Sequence, residues 1–416
     1  TYTGRPAGEM SLYKGSMNSS ENNNYRLRMY VDENYNPQGD GGGLTFSVRI
    51  NVYGLAGEKY VPETTKTILA ANPVQEEKTN MFNYASNGTQ YDPNDDVDYA
   101  TDPDPEYVTN GLYSTEDEDG TSYYFRGAVT TNNVQFGQYE SDYYVYYDDT
   151  DAYYQSQESC EEAGRGNCSP VKLASAGDKM YWKIVRVNGD GSLRLIYNGI
   201  SATPDSSDLA HSYAVGSSIY NISWDDPKYT GYTYDNGTDS FIKREVNTWY
   251  QNTLGKSNYD RMVTSGRFCS DSSGYQDGSA FGGGNVFASM IRLGQSLTGT
   301  STANTPTLKC PSTSESYGGS YRLKVGLITV DELAFAGEVG GTLNDGYLNP
   351  GENGYWYWSM TPAGFDGDGA YVWSEFDGLD GDSVGSHCAV RPVINVTTDN
   401  GFASGDGTAQ NPYILN

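Results

Sequence analysis

The sequence predicts a mainly β protein with a few helices, an α+β chain, and two observations lead to this prediction. Gly and Asn clusters recur about every ten residues, as expected of short strands joined by turns. The 416 residues also include 50 Gly and 38 Tyr, and Tyr is typical of pleated, half-buried surfaces. A chain of this length predicts about two or three domains.

The charge of the chain excludes two classes of partner. Asp and Glu number 54 against 26 for Lys and Arg, which gives a net charge of −28. So acidic a surface repels the phosphates of nucleic acids and anionic lipid headgroups. No apolar run approaches the length of about 18 residues that spans a membrane. The opening at Thr1 without a signal peptide is what a processed, exported chain would show.

Residues 1–60 are predicted to form a small β-sandwich. Apolar and polar residues alternate at 25–31 and again at 44–52, which is the period of strands with one buried face. Two such strands cannot cover their own apolar faces, so a second sheet must do so. So short a segment supplies few strands, and we expect the sandwich to be incomplete.

The segment 1–15 is predicted to be a donor strand for a neighbouring subunit. An incomplete sheet leaves unpaired backbone N–H and C=O groups along one edge, and a strand from another subunit can pair with them. We expect Leu12 and Tyr13 to lie in this polymerisation contact. A head-to-tail contact gives an open filament unless it closes into a ring. The alternative is that the segment folds back and completes its own sandwich.

Residues 61–109 are predicted to be an acidic linker that contains Pro. Its first part, up to residue 78, could form a short helix broken by Pro73. The acidic part lacks the D-x-[DN]-x-[DN]-G loop with its distal Glu, so a solvated linker is favoured over a calcium site. The aspartates concerned are Asp95, Asp96, Asp98, Asp102 and Asp104.

Residues 110–416 are predicted to form the main domain, around a hairpin at 181–199. Two runs of strand formers flank Asn188 and Gly189, and Asn-Gly predicts a type I′ turn with positive φ at both central residues. Both faces of the hairpin are largely apolar, so we expect it at the centre of the domain.

Two helices are predicted in the same domain. The first begins at Asp239 as N-cap, carries an apolar packing stripe and ends at Gly255. The second begins with a capping box from Thr329 to Glu332 and ends at Gly337.

Residues 138–168 form an insertion dense in Tyr and Asp. Tyrosines at this density could stack on sugar rings or on a neighbouring subunit. They could equally belong to a surface loop that packs on its own domain, and both interpretations stay open.

The five cysteines predict two disulfides and one remaining thiol. Cys160 and Cys168 bracket a short loop, and Cys269 and Cys310 bracket a long stretch rich in Gly, Ser and Thr. No CxxC pair and no zinc spacing with His occurs. The pairs 160–168 and 269–310 therefore indicate an oxidising compartment. Cys388 is left free or pairs with another chain.

Several stretches in one order carry a resemblance. DKMYWKIVRVNGDGSLRLIYNG, LKVGLITVDELAFAG, YWYWSMTP, VRPVINV and SGDGTAQNPYIL resemble a poorly characterised domain of Gram-positive surface and secreted proteins. That resemblance covers about residues 120–416 and implies the C-type-lectin-like fold, shared with formylglycine-generating enzymes. Residues 1–60 resemble the biofilm-fibre and camelysin family of secreted β-sandwiches.

The chain departs from both functional patterns of that fold. Formylglycine-generating enzymes hold copper with a cysteine pair, whereas the cysteines here are accounted for by two bridges and one spare. Calcium-dependent lectins use EPN or QPD followed by WND, and neither occurs. The resemblance therefore implies a fold and carries over neither activity.

Two acidic glycine loops, 364–369 and 377–383, are the best ligand candidates. Their carboxylates could converge, since both loops end neighbouring strands, and such a cluster suits calcium. The alternative is a pair of solvated turns that use Asp-Gly for backbone geometry. No other cofactor is expected. The residues are Asp366, Asp368, Asp377, Asp380 and Asp382.

No enzyme is predicted. The sequence contains no GxSxG, HExxH or P-loop, and neither His211 nor His387 has an identifiable partner. Cys388 follows His387 directly, and adjacent residues on a strand point to opposite faces.

These observations predict an extracellular bacterial surface protein for display and adhesion, the repeating subunit of a surface fibre or pilus-like filament. Its main partner is another copy of itself, with a glycan or protein receptor as a further possibility. The rival prediction is a monomeric carbohydrate- or protein-binding adhesin, and an enzyme of unknown class comes third.

Overall fold

The computed structural model describes residues 61–77, 82, 110–150, 152–163, 166–204, 213–235, 237–274, 276–278, 284–293, 305–311, 317–338, 346–349, 355–366, 369–375, 379–397 and 401–415. The chain divides after residue 61, and the account below concerns the unit from Pro62 to Asn416. The predicted N-terminal sandwich, with Leu12 and Tyr13, lies outside the described residues.

Strands dominate this unit. In chain order they are β1 (Gly111–Asp117), β2 (Gly120–Arg126), β3 (Asn133–Gln138), β4 (Tyr143–Tyr147), β5 (Tyr153–Tyr154), β6 (Ser169–Ala174), β7 (Lys179–Val187), β8 (Leu193–Tyr197), β9 (Ser217–Ser218), β10 (Thr233–Tyr234), β11 (Thr238–Asp239), β12 (Val263–Thr264), β13 (Gly266–Ser270), β14 (Gln276–Gly278), β15 (Gly284–Val286), β16 (Gly319–Leu323), β17 (Val325–Gly326), β18 (Tyr357–Phe365), β19 (Ala370–Glu375), β20 (Leu379–Ser383), β21 (Cys388–Ala389), β22 (Val393–Val396) and β23 (Tyr413–Ile414).

The strands form two large sheets. The nine-stranded sheet has the order β1-β2-β7-β8-β22-β12, with β3 beside β7, β23 beside β3 and β17 beside β22. The ten-stranded sheet has the order β14-β15-β18-β21-β9-β5-β4-β6, with β19 beside β18 and β20 beside β19. Two small ribbons, β10–β11 and β13–β16, complete the described strands.

Five α-helices pack on these sheets within the described residues. They are α1 (Glu63–Ala71), α2 (Gln157–Ala163), α3 (Phe241–Asn252), α4 (Ala288–Arg292) and α5 (Val330–Ala336). Short 3₁₀ helices are present at Pro227–Thr230, Leu254–Lys256 and Asn258–Arg261. The mainly β, α+β class predicted from the sequence is confirmed.

The predicted hairpin is β7–β8, and it lies at the centre of the nine-stranded sheet. Trp182, Ile184 and Leu195 are fully buried, as two apolar faces require. The Trp182 indole N–H donates to the carbonyl of Phe136 at 2.7 Å, so the polar atom of this buried ring is also satisfied.

The turn of this hairpin is not the predicted type I′. Positive φ occurs at Gly191 (+86°) but not at Asn188 or Gly189, and the Gly191 N–H donates to the Asn188 carbonyl at 2.8 Å. This is a three-residue loop with a left-handed glycine at its end. The Gly189 N–H donates to an Asp117 carboxylate oxygen at 2.7 Å. A contact with the β1–β2 turn therefore decides the turn type.

Helix α3 begins one residue later than predicted. Its N-cap is Ser240, whose hydroxyl accepts a hydrogen bond from the Lys243 N–H, and its C-cap is Thr253, not Gly255. Asp239 instead pairs with the Lys243 ammonium group at 2.6 Å. The predicted packing stripe is confirmed, since Val246 and Trp249 are fully buried.

Helix α5 has the predicted boundaries. The Thr329 hydroxyl accepts from the Glu332 N–H, the Glu332 carboxylate accepts from the Thr329 N–H, and Gly337 ends the helix with φ +110°. The capping box is therefore confirmed.

Residues 62–77, predicted to be the start of the linker, are part of the main unit. Ile68 of α1 is fully buried in the core. Val74 forms a parallel bridge to Leu112 on β1, and the Gln75 N–H donates to the Leu112 carbonyl at 2.8 Å. This segment thereby covers the outer edge of the nine-stranded sheet.

The corrected N-cap gives a first prediction. Replacing Ser240 by Ala should lower the free energy of unfolding by about 1 kcal/mol, because the α3 N-terminus loses its cap. Replacing Asp239 by Ala should cost less than about 0.5 kcal/mol, because it removes only a partly exposed ion pair. Urea unfolding of both variants measures the difference. A larger loss for Asp239→Ala would show that Asp239 is the effective cap.

Candidate functional site

The candidate calcium loops lie in the meander β18–β19–β20. Asp366 follows β18, and Asp380 and Asp382 lie on β20, whereas Asp368 and Asp377 lie outside the described residues. In the antiparallel meander, Asp382 on β20 is the register partner of Val372 on β19, and Asp380 is that of Ser374. Phe365, which precedes Asp366, is the register partner of Ala370 at the start of β19. Asp382 is therefore nearer to Asp366 along β19 than Asp380 is.

The three described aspartates have local partners. One oxygen of Asp366 accepts from the Gly369 N–H at 2.8 Å, and the other accepts from the Tyr371 hydroxyl at 2.7 Å. Asp382 accepts from the Ser374 hydroxyl at 2.6 Å, and Asp380 accepts from the Gly381 N–H at 2.7 Å. Within the described ranges, no group of three or more His, Cys, Asp and Glu side chains is placed to hold a metal ion. A calcium site that includes residues 368 and 377 stays a prediction.

The thiol of Cys388 is free and buried. Its sulfur lies 3.8 Å from an Asp382 carboxylate oxygen. Burial, and then the Asp382 charge, raise the pKa of Cys388 well above its usual value. The group therefore stays a neutral thiol at physiological pH, which is the opposite of an activated nucleophile.

The neighbouring His387 belongs to a different set of contacts. Its Nε2 lies 3.4 Å from the Tyr154 hydroxyl, which donates to Asp148 at 3.3 Å. His387 and Cys388 thus contact different groups, as expected for neighbours in an extended segment. His211 lies outside the described residues.

Both predicted disulfides are present. Cys160 on α2 is bonded to Cys168, with the Cα atoms 6.0 Å apart. Cys269 on β13 is bonded to Cys310, with the Cα atoms 5.5 Å apart. The second bond closes the longer loop, with a sequence separation of 41, and fastens the segment 305–311 to the main unit.

The Tyr- and Asp-rich insertion contributes strands to the ten-stranded sheet. Strand β4 pairs with β5 and β6, and β5 pairs with β9. Tyr143 and Tyr154 are buried, and the rings of Tyr147 and Tyr153 are in contact, with centroids 4.8 Å apart and planes inclined by 35°. Much of the insertion thus packs on its own domain, while Tyr144 is 46% exposed.

A buried ion network joins the central hairpin to helix α5. On β7, the Arg186 guanidinium donates to Glu332 at 2.9 Å and to Asp117 at 3.0 Å. On β8, Arg194 pairs with the same Glu332 carboxylate. All four side chains are at most 8% exposed. Burial acts to raise the pKa of Glu332, but the two arginines outweigh it and hold this pKa below its usual value.

A second ion cluster lies beside the first. Arg292 of α4 donates to Asp331 at 2.6 Å and to Asp271 at 2.9 Å. Both clusters, with the Cys269–Cys310 bond, line a cavity of about 30 Å³, room for about one water molecule. Four cationic and four anionic side chains line it, so the cavity has no strong preference for a charged ligand.

A further buried acid, Glu245, lies between α3 and the insertion. One of its carboxylate oxygens accepts from the Gln155 N–H at 2.7 Å, two residues before α2 begins. Burial raises the pKa of Glu245 to about 7, against the opposing effects of Ser159, the Gln155 N–H and Arg244, and Glu162 adds a smaller rise.

The sequence indicates the burial of Glu245 but not the ion network of Glu332. Glu245 is four residues from Phe241 and from Trp249, so helical spacing places it on the apolar stripe. Glu332 was identified only as a capping residue. Its arginine partners lie 138 and 146 residues away in the chain, and no local pattern indicates them.

No protein-family model, curated protein or solved structure matches the chain. Of the helices that the structure describes, none has the length and apolar character to cross a membrane.

Glu332 should be indispensable to stability. Replacing it by Gln leaves Arg186 and Arg194 buried with Asp117 as their remaining anion, and breaking a buried ion pair costs about 3–5 kcal/mol. The matched control is Glu63→Gln, which breaks the exposed pair with Lys66 and should change stability by less than about 0.5 kcal/mol. Chemical unfolding measures both. Equal effects would mean that the network contributes nothing beyond a surface pair.

Glu245 should make stability depend on pH. Because its folded pKa of about 7 exceeds the unfolded value of about 4.3, the folded state binds the extra proton between these limits. Stability is therefore greatest below the unfolded pKa and falls as pH rises to the folded pKa.

Replacing Glu245 by Gln should remove this dependence. The variant should be more stable than the wild type by about 3 kcal/mol at about pH 8, with little difference at about pH 4. Glu158→Gln, at an exposed position on α2, serves as control. Thermal unfolding at both pH values measures the effect, and an unchanged pH slope in Glu245→Gln would contradict the assignment.

Proposed function

We propose that this protein is an extracellular bacterial surface protein for display and adhesion, and the repeating subunit of a surface fibre. The observation that carries the proposal is the pair of disulfides, Cys160–Cys168 and Cys269–Cys310. Disulfides persist in oxidising compartments and are rare in the cytosol. The acidic, Tyr-rich composition agrees with a surface-exposed chain.

The chemistry of the described residues favours a scaffold over an enzyme. A nucleophile needs an adjacent base and a group that orients that base. Cys388 has a carboxylate beside it and a raised pKa, and His387 contacts Tyr154 instead of the thiol. The strongest charge clusters are ion pairs that satisfy one another. An enzyme therefore ranks third.

The fibre rests on the N-terminal segment. Its residues 1–15 supply the proposed donor strand, with Leu12 and Tyr13 in the contact, and a neighbouring sandwich supplies the acceptor edge. The likeness of residues 1–60 to the biofilm-fibre and camelysin family supports this assembly. The C-type-lectin-like fold proposed for about residues 120–416 fits display of a rigid domain along the filament.

The rival function is a monomeric adhesin, and exposed aromatic side chains favour it. Trp224 is 50% exposed and Trp356 is 42% exposed. The other four Trp side chains are fully buried, at positions 182, 249, 358 and 373. Exposed Trp faces are typical of binding surfaces, because the ring combines apolar area with a polar N–H.

Electron microscopy of the purified full chain separates these functions. We expect filaments from the intact protein and monomers after deletion of residues 1–15, because the donor strand is lost. Leu12→Asp should have the same effect, since it places a charge in the proposed strand contact, whereas Asp149→Asn in a turn of the main unit should leave filaments intact. Filaments from the deletion variant would contradict donor-strand assembly. An intact chain that is monomeric and binds glycans, with binding lost in Trp224→Ala, would establish the rival.

A further inference from the structure

Lys183 and Asn133 face each other across two neighbouring strands. Asn133 on β3 is the register partner of Lys183 on β7 in the antiparallel pair, so the two side chains lie on the same face of the sheet. The Lys183 Nζ donates to the Asn133 Oδ1 at 2.7 Å. Because Oδ1 is bonded to Cγ, the amine lies next to the carbonyl carbon of this amide.

The amide of Asn133 is buried and held in one orientation. Asn133 is 2% exposed, and its Nδ2 donates to the carbonyl of Thr130 at 3.0 Å and to that of Gly407 at 2.8 Å. Two acceptors on this side fix Nδ2 there and turn Oδ1 towards Lys183. The 407 loop reaches this position because Gly407 has φ +84°, and a Cβ there would collide with the Thr131 carbonyl.

The environment of Lys183 raises the neutral fraction of its amine above that of an ordinary lysine. Burial, and then the nearby Arg391, lower the pKa of Lys183 to about 8. A lysine becomes a nucleophile when it is desolvated or lies beside another cation. The amine is part-buried, and the target carbonyl is already positioned, which removes most of the entropic cost of bringing the groups together.

We propose that Lys183 and Asn133 join in an intramolecular isopeptide bond. The lone pair of the neutral Nζ attacks Cγ, the Nζ–Cγ bond forms and the Cγ–Nδ2 bond breaks. One proton passes from Nζ to Nδ2, which leaves as ammonia. Amine and primary amide thus become a secondary amide and ammonia, and the step needs no oxidant or cofactor.

The bond removes an electrostatic cost and adds a covalent connection between strands. A neutral amide replaces a desolvated cation beside Arg391, so the cost of burying that charge and the repulsion between the two cations disappear. Strand β3 also pairs with β23 near the C-terminus, so the cross-link fastens this edge of the sheet to the central strand β7. This inference does not depend on the proposed function.

Two other lysines provide internal controls. Lys256 donates to Asn252 at 3.0 Å and Lys179 donates to Gln138 at 2.6 Å, and both contacts are exposed. They have the same pairing of amine and side-chain amide, without the burial. They should not react, because a solvated lysine stays protonated at neutral pH.

Mass spectrometry of the full chain tests the proposal. After reduction of the disulfides, the intact mass should be lower than the sequence mass by one ammonia. Tryptic digestion should yield a branched peptide in which residues 127–165 are joined to residues 180–186, because a modified Lys183 resists cleavage. Lys183→Arg should restore the full mass, whereas Lys256→Arg should retain the loss.

The tryptic digest of the wild-type chain tests for the cross-link directly, even if a variant fails to fold. An unmodified intact mass, including after incubation above the pKa of Lys183, would overturn the proposal. So would the loss of ammonia with linear peptides alone, since a succinimide at an Asn-Gly pair gives that mass without a cross-link. Cross-links at Lys256 or Lys179 would contradict the role assigned to burial.

Discussion

The buried carboxylate of Glu332 connects helix α5 to the central hairpin of the main domain. It completes the capping box of α5 and binds Arg186 and Arg194, which lie on the two strands of the central hairpin. The helix and the sheet therefore share one buried anion, and neither could change its position without taking that anion away from two buried guanidinium groups. Asp117 extends the network to the turn beside Gly189. The turn geometry, the sheet and the helix cap are thus fixed by one set of charges.

The acid content of the chain is used in two ways. Most of the acidic residues that the structure describes are at least partly exposed, which favours solubility. A few are buried, and their surroundings differ. Glu332 is neutralised by two arginines, whereas at Glu245 burial outweighs the opposing effect of Arg244, and the carboxyl group takes up a proton near neutral pH. The first arrangement stabilises the fold over the physiological range. The second links the docking of the Tyr-rich insertion to pH.

Buried ion pairs and disulfides connect distant parts of the described chain. One ion cluster joins helix α5 to strand β7 and another joins helices α4 and α5. One disulfide closes a loop within the insertion, and the other fastens the segment 305–311 to β13. The contact between Lys183 and Asn133 extends the same principle to the strands. These features suit a domain that is displayed outside the cell, where proteolysis and mechanical load favour covalent connections.

The sequence by itself determined what depends on local patterns. It predicted the β7–β8 hairpin, the capping box of α5, the packing stripe of α3 and both disulfides, because periodicity, caps and cysteine spacing are local properties. Tertiary structure alone decided which turn closes the hairpin and which arginines pair with Glu332. The physical reason is common to these cases. Each depends on a group brought close by folding, and the interaction energy of charges and hydrogen bonds follows distance in space and not separation along the chain.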